Sequence, residues 1–473
     1  MIILDTRLKT PLYLQIYEQM KNRVISGRIP YNSRLPSIRA LSETLGVSKN
    51  TVTYAYRQLC AEGYVTNRER SGFYAQKLEY PQDRGITGDP KEDGAGSSGQ
   101  ADSPGFSGCR YDFHYGSINP LDFPLNTWRK LSNKIISPAH LNKMVSYPDS
   151  SGEPELRTAI LRYLNISRGV NCRPGQVVLC SGTQQCLNLV CRLLKPDSAA
   201  PASVAMEDPG YDGARVVFEN NSLNIIPVPV EKGGIRIRDL ENSPARLVYI
   251  TPSRQFPTGE IMPIRRRLKL LEWAARTKAV IIEDDYDSEF RYTGNPIPAI
   301  QSIDTKGQVI YMGTFSRSLS PALRMSYMVI PTPLLASFRQ IFQRYNTVVP
   351  WMEQKLVETF IKEGHWEKHL RRIRLANKKR HDTLIASIHS TMADKVRIIG
   401  KNAGLHILLE IDNGFSEEEL ISSVRRKGVA VGPVSRYWID RERCKIPMVL
   451  IGYSGMDSAE IEAGVMRLKK AWF

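Results

Sequence analysis

The stretch Tyr311–Tyr327, YMGTFSRSLSPALRMSY, decides how the rest of the chain is read. Its apolar start runs into Thr314, Phe315 and Ser316, the form of a buried strand that ends in hydroxyl donors. Arg324 follows within reach of the same strand end. Small hydroxyls and an arginine together are donors for a phosphate-like anion. Between them stands Arg317, a side chain that keeps its charge at any ordinary pH.

Three further runs share this form: SVAMEDPGY (203–211), RLVYITPSRQ (246–255) and AVIIEDDYD (279–287). With QVIYMGTFS (308–316) they make four continuous apolar strands, separated by helical stretches such as Pro263–Thr277. Strands apolar along their whole length, alternating with helices, predict an α/β parallel sheet covered on both faces. Ligands bind such a sheet beyond the carboxyl ends of its strands, where the polar residues here collect.

The segment CSGTQQCLNLVCRLL (180–194) passes from small residues into an apolar helix. It puts the amides of Gly182, Thr183 and Gln184 at a helix N-terminus, an anion site or a plain cap. Asp284 ends a buried strand. It is either a loop or capping aspartate, or a carboxylate paired with the protonated nitrogen of a pyridine ring. Tyr286 is placed to hydrogen-bond a phenolic oxygen of such a ring, and Tyr211 to stack on its face.

The N-terminal residues have a different character. Residues 1–80 hold 12 Lys+Arg against 6 Asp+Glu. Helical spacing predicts a helix over Leu12–Ser26, with Leu12, Ile16, Met20 and Val24 on one face. A second helix is expected over Ser37–Leu45, stopped by Gly46. A third starts at Ser48 and buries Val52, Ala55, Tyr56 and Leu59. A gap of only GVS is the spacing of a helix-turn-helix. Lys49, Asn50, Thr51, Thr53 and Arg57 would then face a nucleic acid. The following GYVTNRERSGFYA reads as a two-stranded wing turning at Ser71-Gly72, with Arg68 and Arg70 beside the turn.

Between these regions, Gly85–Gly108 is glycine, serine, proline and acid with few large apolar groups. It sets a flexible linker over residues 81–110, a coil spanning about 25–30 Å, between a domain of residues 1–80 and one of residues 111–473. The chain of 473 residues is 42% hydrophobic and 24% charged, with a net charge of +17. That balance suits a polyanionic partner. Asp5, Arg7 and Lys9 interrupt any signal-like apolar run, and no stretch of membrane-spanning length occurs, so a cytoplasmic protein is expected. Seven cysteines without a CxxC pair are expected to be reduced core residues, with no metal site.

The motifs together resemble known families. Leu35–Tyr64 is similar to the GntR pattern LPSxRxLxxxLGVSxxTVxxAYxxLxxEGY. By that resemblance Arg34, Arg39, Ser48, Lys49, Asn50, Thr51, Thr53 and Gly72 are DNA-binding positions in a winged helix-turn-helix. SGTQQ, EDPGY, TPSxQFPTG, IIEDDYDSEF and YMGTFSxSLxPxLRxSYM, in this order, resemble the aspartate-aminotransferase fold, fold type I of the pyridoxal-phosphate proteins. The combination is similar to the MocR/GabR regulators, over nearly the whole chain outside the linker.

This resemblance implies a homodimer with domain-swapped winged helices that binds double-stranded operator DNA and responds to an amine or amino-acid effector. It implies cofactor contacts from Gly182, Thr183, Gln184, Tyr211, Asp284, Tyr286, Thr314, Ser316, Arg317 and Arg324. It also implies a carboxylate grip from Arg436 in VGPVSRYW, with Arg215 a second candidate. The family attaches pyridoxal 5'-phosphate through a lysine at the position of Arg317. Arginine cannot make that bond, and Lys306, the nearest lysine, lies a strand length of roughly 25 Å away. Transaminase chemistry needs the lysine, so no enzyme is expected. Two readings remain: a pocket holding the cofactor non-covalently, or a cofactor-free scaffold. A second departure is Arg254, where the family usually has histidine. It either adds a cation near the cofactor or points to solvent. From Lys362 to Arg380 eight Lys+Arg face two acids, either an exposed connecting helix or a second basic surface.

Overall fold

A computed structural model describes residues 2, 4–5, 10–68, 71–76, 109–194, 202–292 and 297–473. The chain divides into two compact units, Met1–Ala101 and Asp102–Phe473. The expected linker at Gly85–Gly108, and Arg70 at the wing turn, lie outside the described residues.

In the first unit, α1 (Leu12–Ile25), α2 (Ile38–Leu45) and α3 (Lys49–Ala61) precede a hairpin of β1 (Val65–Arg68) and β2 (Gly72–Ala75). α1 buries Ile16, Tyr17, Met20 and Val24, so the inward stripe takes in Tyr17 while Leu12 is only half-buried. Ser37 caps α2 by accepting from the Ala40 amide, and Gly46 closes it in the left-handed region at φ 65°. Ser48 caps α3 in the same way, accepting from the Thr51 amide at 3.2 Å. The buried stripe of α3 is Val52, Ala55, Tyr56 and Leu59, as its spacing requires.

The second unit is built on an eight-stranded sheet. Its strands in chain order are β3 (Val177–Cys180), β4 (Ser203–Asp208), β5 (Asn224–Glu231), β6 (Gly234–Ile235), β7 (Leu247–Ile250), β8 (Val280–Asp285), β9 (Val309–Thr314) and β10 (Ser326–Val329). Their order across the sheet is β3-β10-β9-β8-β7-β4-β5-β6. The four apolar runs of the sequence are its contiguous parallel centre, with β5 continuing the parallel set. The antiparallel strands β6 and β10 were not legible as part of it.

Neighbouring residues on the central strands enter different cores. Met206, Tyr249, Ile282 and Ile310 pack with Leu187 and Val190 of α4 (Thr183–Leu193). Ala205, Val248, Ile281 and Val309 pack with Leu270 and Trp273 of α5 (Ile264–Thr277). Two apolar faces on one strand explain the unbroken hydrophobic runs.

A long helix, α6 (His365–Met392), leads to a four-stranded antiparallel sheet that includes His406–Ile411 and Met448–Gly452. α6 carries the basic segment. Its inner face is buried through Trp366, His369 and Ile373, and Arg380 pairs with Asp122 at 2.6 Å. Lys368, Arg371 and Lys379 remain on the exposed face. All seven cysteines are free. Among the described residues no helix is long and apolar enough to cross a membrane.

Removing the Ser48 hydroxyl leaves an orphan amide at the start of α3. Ser48→Ala is expected to cost about 1 kcal/mol in the first unit, read as a lower midpoint of its transition in denaturant melts. An unchanged midpoint would count against the cap.

Candidate functional site

The carboxyl ends of β4, β7, β8 and β9 open onto a cavity of ≈ 340 Å³. All ten residues expected to hold a cofactor line it: Gly182, Thr183, Gln184, Tyr211, Asp284, Tyr286, Thr314, Ser316, Arg317 and Arg324. Each element delivers its share for a local reason.

β3 ends at Cys180, and the chain turns through Gly182 at φ 89° into α4, whose first turn has no side-chain cap. Uncapped amides and the positive end of the helix dipole are available to an anion. Arg324, itself left-handed at φ 48°, lays its guanidinium against Gly182; a Cβ there would sit 2.4 Å from its Nη2. Gly182 is therefore favoured by its backbone angle, and a side chain there would displace the Arg324 guanidinium. Thr314 lies in the wall, with its Oγ1 accepting from the Ser316 amide at 3.1 Å and the Ser326 hydroxyl at 2.9 Å.

Asp284 forms the polar floor. It is buried, and its Oδ2 accepts a hydrogen bond of 2.6 Å from the Tyr249 hydroxyl. Its Oδ1 is buried with no partner. Glu207 Oε1 and Asp285 Oδ1 are also unpartnered, but those residues do not line the cavity. Burial pushes the Asp284 carboxyl up to about 7, helped by the Asp285 and Asp287 charges and opposed by the Tyr249 hydrogen bond.

Arg317 faces the same space. Its guanidinium lies 4.0 Å from the centroid of the Tyr115 ring, a cation–π contact, and close to Gly116. A second cavity of ≈ 210 Å³ adjoins the first and shares Tyr115, Tyr211, Phe256 and Arg317 with it. Arg436 lines this second cavity, 3.4 Å from Asp212 and donating to the Tyr437 hydroxyl at 2.8 Å.

Arg215 lines neither cavity. Its guanidinium donates to the carbonyls of Arg436 (3.0 Å) and Trp438 (3.4 Å), so it holds the Arg436 loop from behind. Arg254 does not point to solvent. It is 2% exposed and lies outside the cavity wall, bonded to Asp287 Oδ2 (3.2 Å), Tyr286 (3.3 Å) and the carbonyl of His406 (2.6 Å).

Six wall residues escaped the sequence reading: Tyr115, Gly116, Tyr249, Thr251, Phe256 and Pro321. Tyr249 sits in an aliphatic strand, and its buried hydroxyl needed a partner, a signal that was there to read. Tyr115 and Phe256 meet Arg317 and Tyr211 only through contacts distant in sequence.

On the first unit, Lys49, Asn50 and Arg57 are exposed on α3, and Arg34 lies over the wing glycine Gly72. Ser48 and Thr51 share a hydrogen bond at the cap, and Thr53 donates to the Lys49 carbonyl. Arg39 pairs with Glu43 at 2.9 Å. Tyr54, 61% exposed on α3, was not expected.

The fold and the site together define an aminotransferase-type domain joined to a helix-turn-helix reader. Residues 116–468 match the family Aminotransferase class I and II. Residues 12–75 match the bacterial regulatory proteins of the gntR family. The chain is 40% identical over 479 residues to an HTH-type transcriptional regulator of Bacillus subtilis, YdeL, covering 99% of this chain and 98% of the relative. It is 33% identical over 487 residues to a probable rhizopine catabolism regulatory protein of Rhizobium meliloti, MocR, covering 100% of this chain and 96% of the relative. The crystal structure of a multiple substrate aminotransferase from Thermococcus profundus superposes with a TM-score of 0.69 at 25% identity, covering 77% of this chain and 91% of the other.

The chain belongs to the MocR/GabR family of transcriptional regulators. Its helix-turn-helix implies DNA binding, and its aminotransferase fold implies a pyridoxal-phosphate pocket. The residues present fit that group. The unpartnered Asp284 Oδ1 matches a protonated ring nitrogen, and the Gly182 turn with Arg324 matches a phosphate.

A raised carboxyl has a consequence for stability. Because the Asp284 pKa lies above its ordinary 3.8 at about 7, the favourable contribution is complete below pH 3.8 and is lost as pH rises through about 7. In ligand-free protein, Asp284→Asn should therefore gain melting temperature over the parent at pH 8 and match it near pH 4. A difference that does not change with pH would contradict the buried-carboxyl assignment.

Proposed function

We propose that this chain is a DNA-binding regulator that senses an amine or amino-acid effector, or pyridoxal phosphate itself, and catalyses no transamination. Arg317 stands in place of the lysine that holds the cofactor covalently in its family. The single observation that carries this reading is Arg317 in the wall of the cavity that Asp284 also lines, where the free oxygen of Asp284 still suits a protonated pyridine nitrogen.

When bound, pyridoxal phosphate supplies an electron-withdrawing ring and an aldehyde that condenses with amines. The residues would divide the binding among them. Arg324 and the α4 amides take the phosphate, with Thr314, Ser316, Thr183 and Gln184 around it. Asp284 holds the proton on the ring nitrogen, and Tyr249 orients Asp284. Tyr286 faces the ring oxygen, and Tyr211 covers a face. Arg317 neutralises negative charge but has no free amine to attack an aldehyde or to carry a proton from substrate carbon. Held this way, the cofactor exchanges with solvent.

Arg436 would grip the effector carboxylate, with Arg215 supporting its loop. Preference of the effector for one arrangement of the aminotransferase-type unit would shift the population that binds operator. We assign residues 1–80 to the DNA reader, 81–110 to the tether and 111–473 to effector binding and dimerisation. The assembly is a cytoplasmic homodimer with exchanged winged helices. Arg34, Arg39, Ser48, Lys49, Asn50, Thr51, Thr53 and Gly72 belong to the DNA surface.

Two measurements follow. Operator affinity should fall steeply with salt, and Lys49→Ala should lower the slope of log affinity against log salt by about 0.9 on every sequence. Asn50→Ala should instead change which sequences are preferred. Equal effects of both on random and operator DNA would contradict these roles.

Arg317→Lys should create a visible absorbance band with added pyridoxal phosphate, trapped by borohydride at residue 317. The parent should show none and should lose its cofactor on dialysis. A folded Arg317→Lys protein without the band would make the unit a cofactor-free scaffold.

A further inference from the structure

The smaller cavity carries its own charge pattern. Three formally charged side chains line its ≈ 210 Å³: Arg317, Arg436 and Asp212. The remaining titratable wall groups are neutral: burial pushes His114 down and Tyr115, Tyr211 and Tyr437 up.

Arg317 is half-buried and has no hydrogen bond or ion pair with any described residue; its guanidinium lies over the Tyr115 ring and beside Gly116. Cation–π stacking engages the face of a guanidinium and leaves its N–H edge for an acceptor. A half-buried arginine without a carboxylate partner keeps its N–H edge open for one that a ligand supplies. Arg436 differs. It is already 3.4 Å from Asp212, with its side chain 46% exposed. The wall therefore presents two cations and one anion.

Ligand classes can be compared against that pattern. A monocarboxylic amine satisfies Arg436 and Asp212 and leaves Arg317 unpaired. A dicarboxylic acid without an amine satisfies both arginines and leaves Asp212 opposite like charge. A ligand with two carboxylates and one ammonium pairs all three. Resting on the effector-binding reading above, we propose that this compartment is a site for acidic α-amino acids, with Arg317 and Arg436 each taking a carboxylate and Asp212 taking the ammonium. On this assignment Arg317 does more than remove a covalent link. Its fixed bidentate charge turns the position into a carboxylate receptor.

Calorimetric titration of the full chain tests the assignment, using glutamate, aspartate, glutarate, alanine and 4-aminobutyrate, each with and without pyridoxal phosphate. At least one acidic amino acid should bind about tenfold or more tighter than glutarate, alanine and 4-aminobutyrate, the effect of one charge-assisted pair. Arg317→Met should abolish that preference, lowering the affinity for the acidic amino acid by about tenfold and by more than it lowers that for 4-aminobutyrate. Asp212→Asn should narrow the gap between glutamate and glutarate.

Equal affinities across the parent panel, no binding by any member, or an equal loss for every ligand in Arg317→Met would overturn the proposal. Cofactor retention on ultrafiltration is read separately on the same samples. Retention without amino-acid preference defeats this inference and leaves the cofactor reading standing, and preference without retention does the reverse.

Discussion

Asp284 brings a carboxyl group to the floor of a cavity with one oxygen bonded to Tyr249 and the other bonded to nothing. The surrounding structure exists in large part to make that placement tolerable. β8 carries three consecutive acids, and the alternation of a strand sends them to opposite faces. Glu283 accepts from the Ile300 amide at 2.8 Å and the Gln301 amide at 3.0 Å. Asp285 meets Arg168 at 2.6 Å and the Tyr311 hydroxyl at 2.6 Å. Asp287 meets Arg254. Glu283 and Asp287 are satisfied inside the protein, Asp285 keeps one oxygen unpartnered away from the cavity, and Asp284 is the acid among the four that lines the cavity. On the reading proposed above, its free oxygen is a binding determinant.

Arg254 shows how the pocket is tied to the second sheet. Its guanidinium reaches the His406 carbonyl on one side and Tyr286 and Asp287 on the other. The backbone at Gly404 passes so near that a Cβ would sit 2.2 Å from the Arg254 Cζ. Burial and the adjacent cation push His406 down, so its ring is neutral in this contact. Tyr286, a wall residue, therefore shares a hydrogen-bonded unit with the C-terminal sheet.

Much of this was legible in the sequence. The four apolar runs announced a sheet covered on both sides, because only such strands need no polar face. The caps at Ser48 and Gly46 and the stripe on α3 marked the helix-turn-helix, because capping and periodicity are local. The ten cavity residues were named because strand ends and a helix start converge in this topology. What escaped depends on contacts between distant segments. Tyr115 comes from the opening of the second unit to stack on Arg317, about two hundred positions later. Arg215 reads as a second candidate for the effector carboxylate, yet its guanidinium donates to the carbonyls of the Arg436 loop. The basic segment after Lys362 reads as one charge run, yet packing divides it into a paired inner face and an exposed outer one.

The central claim is that replacing the attachment lysine by Arg317 leaves a working but non-covalent cofactor pocket. Equilibrium dialysis of the unaltered protein with pyridoxal phosphate, followed by borohydride and intact-mass analysis, tests it most directly. The account predicts saturable binding of one cofactor per chain with no stoichiometric mass increase after reduction. A single reduced adduct at one lysine, or no saturable binding at all, would contradict it.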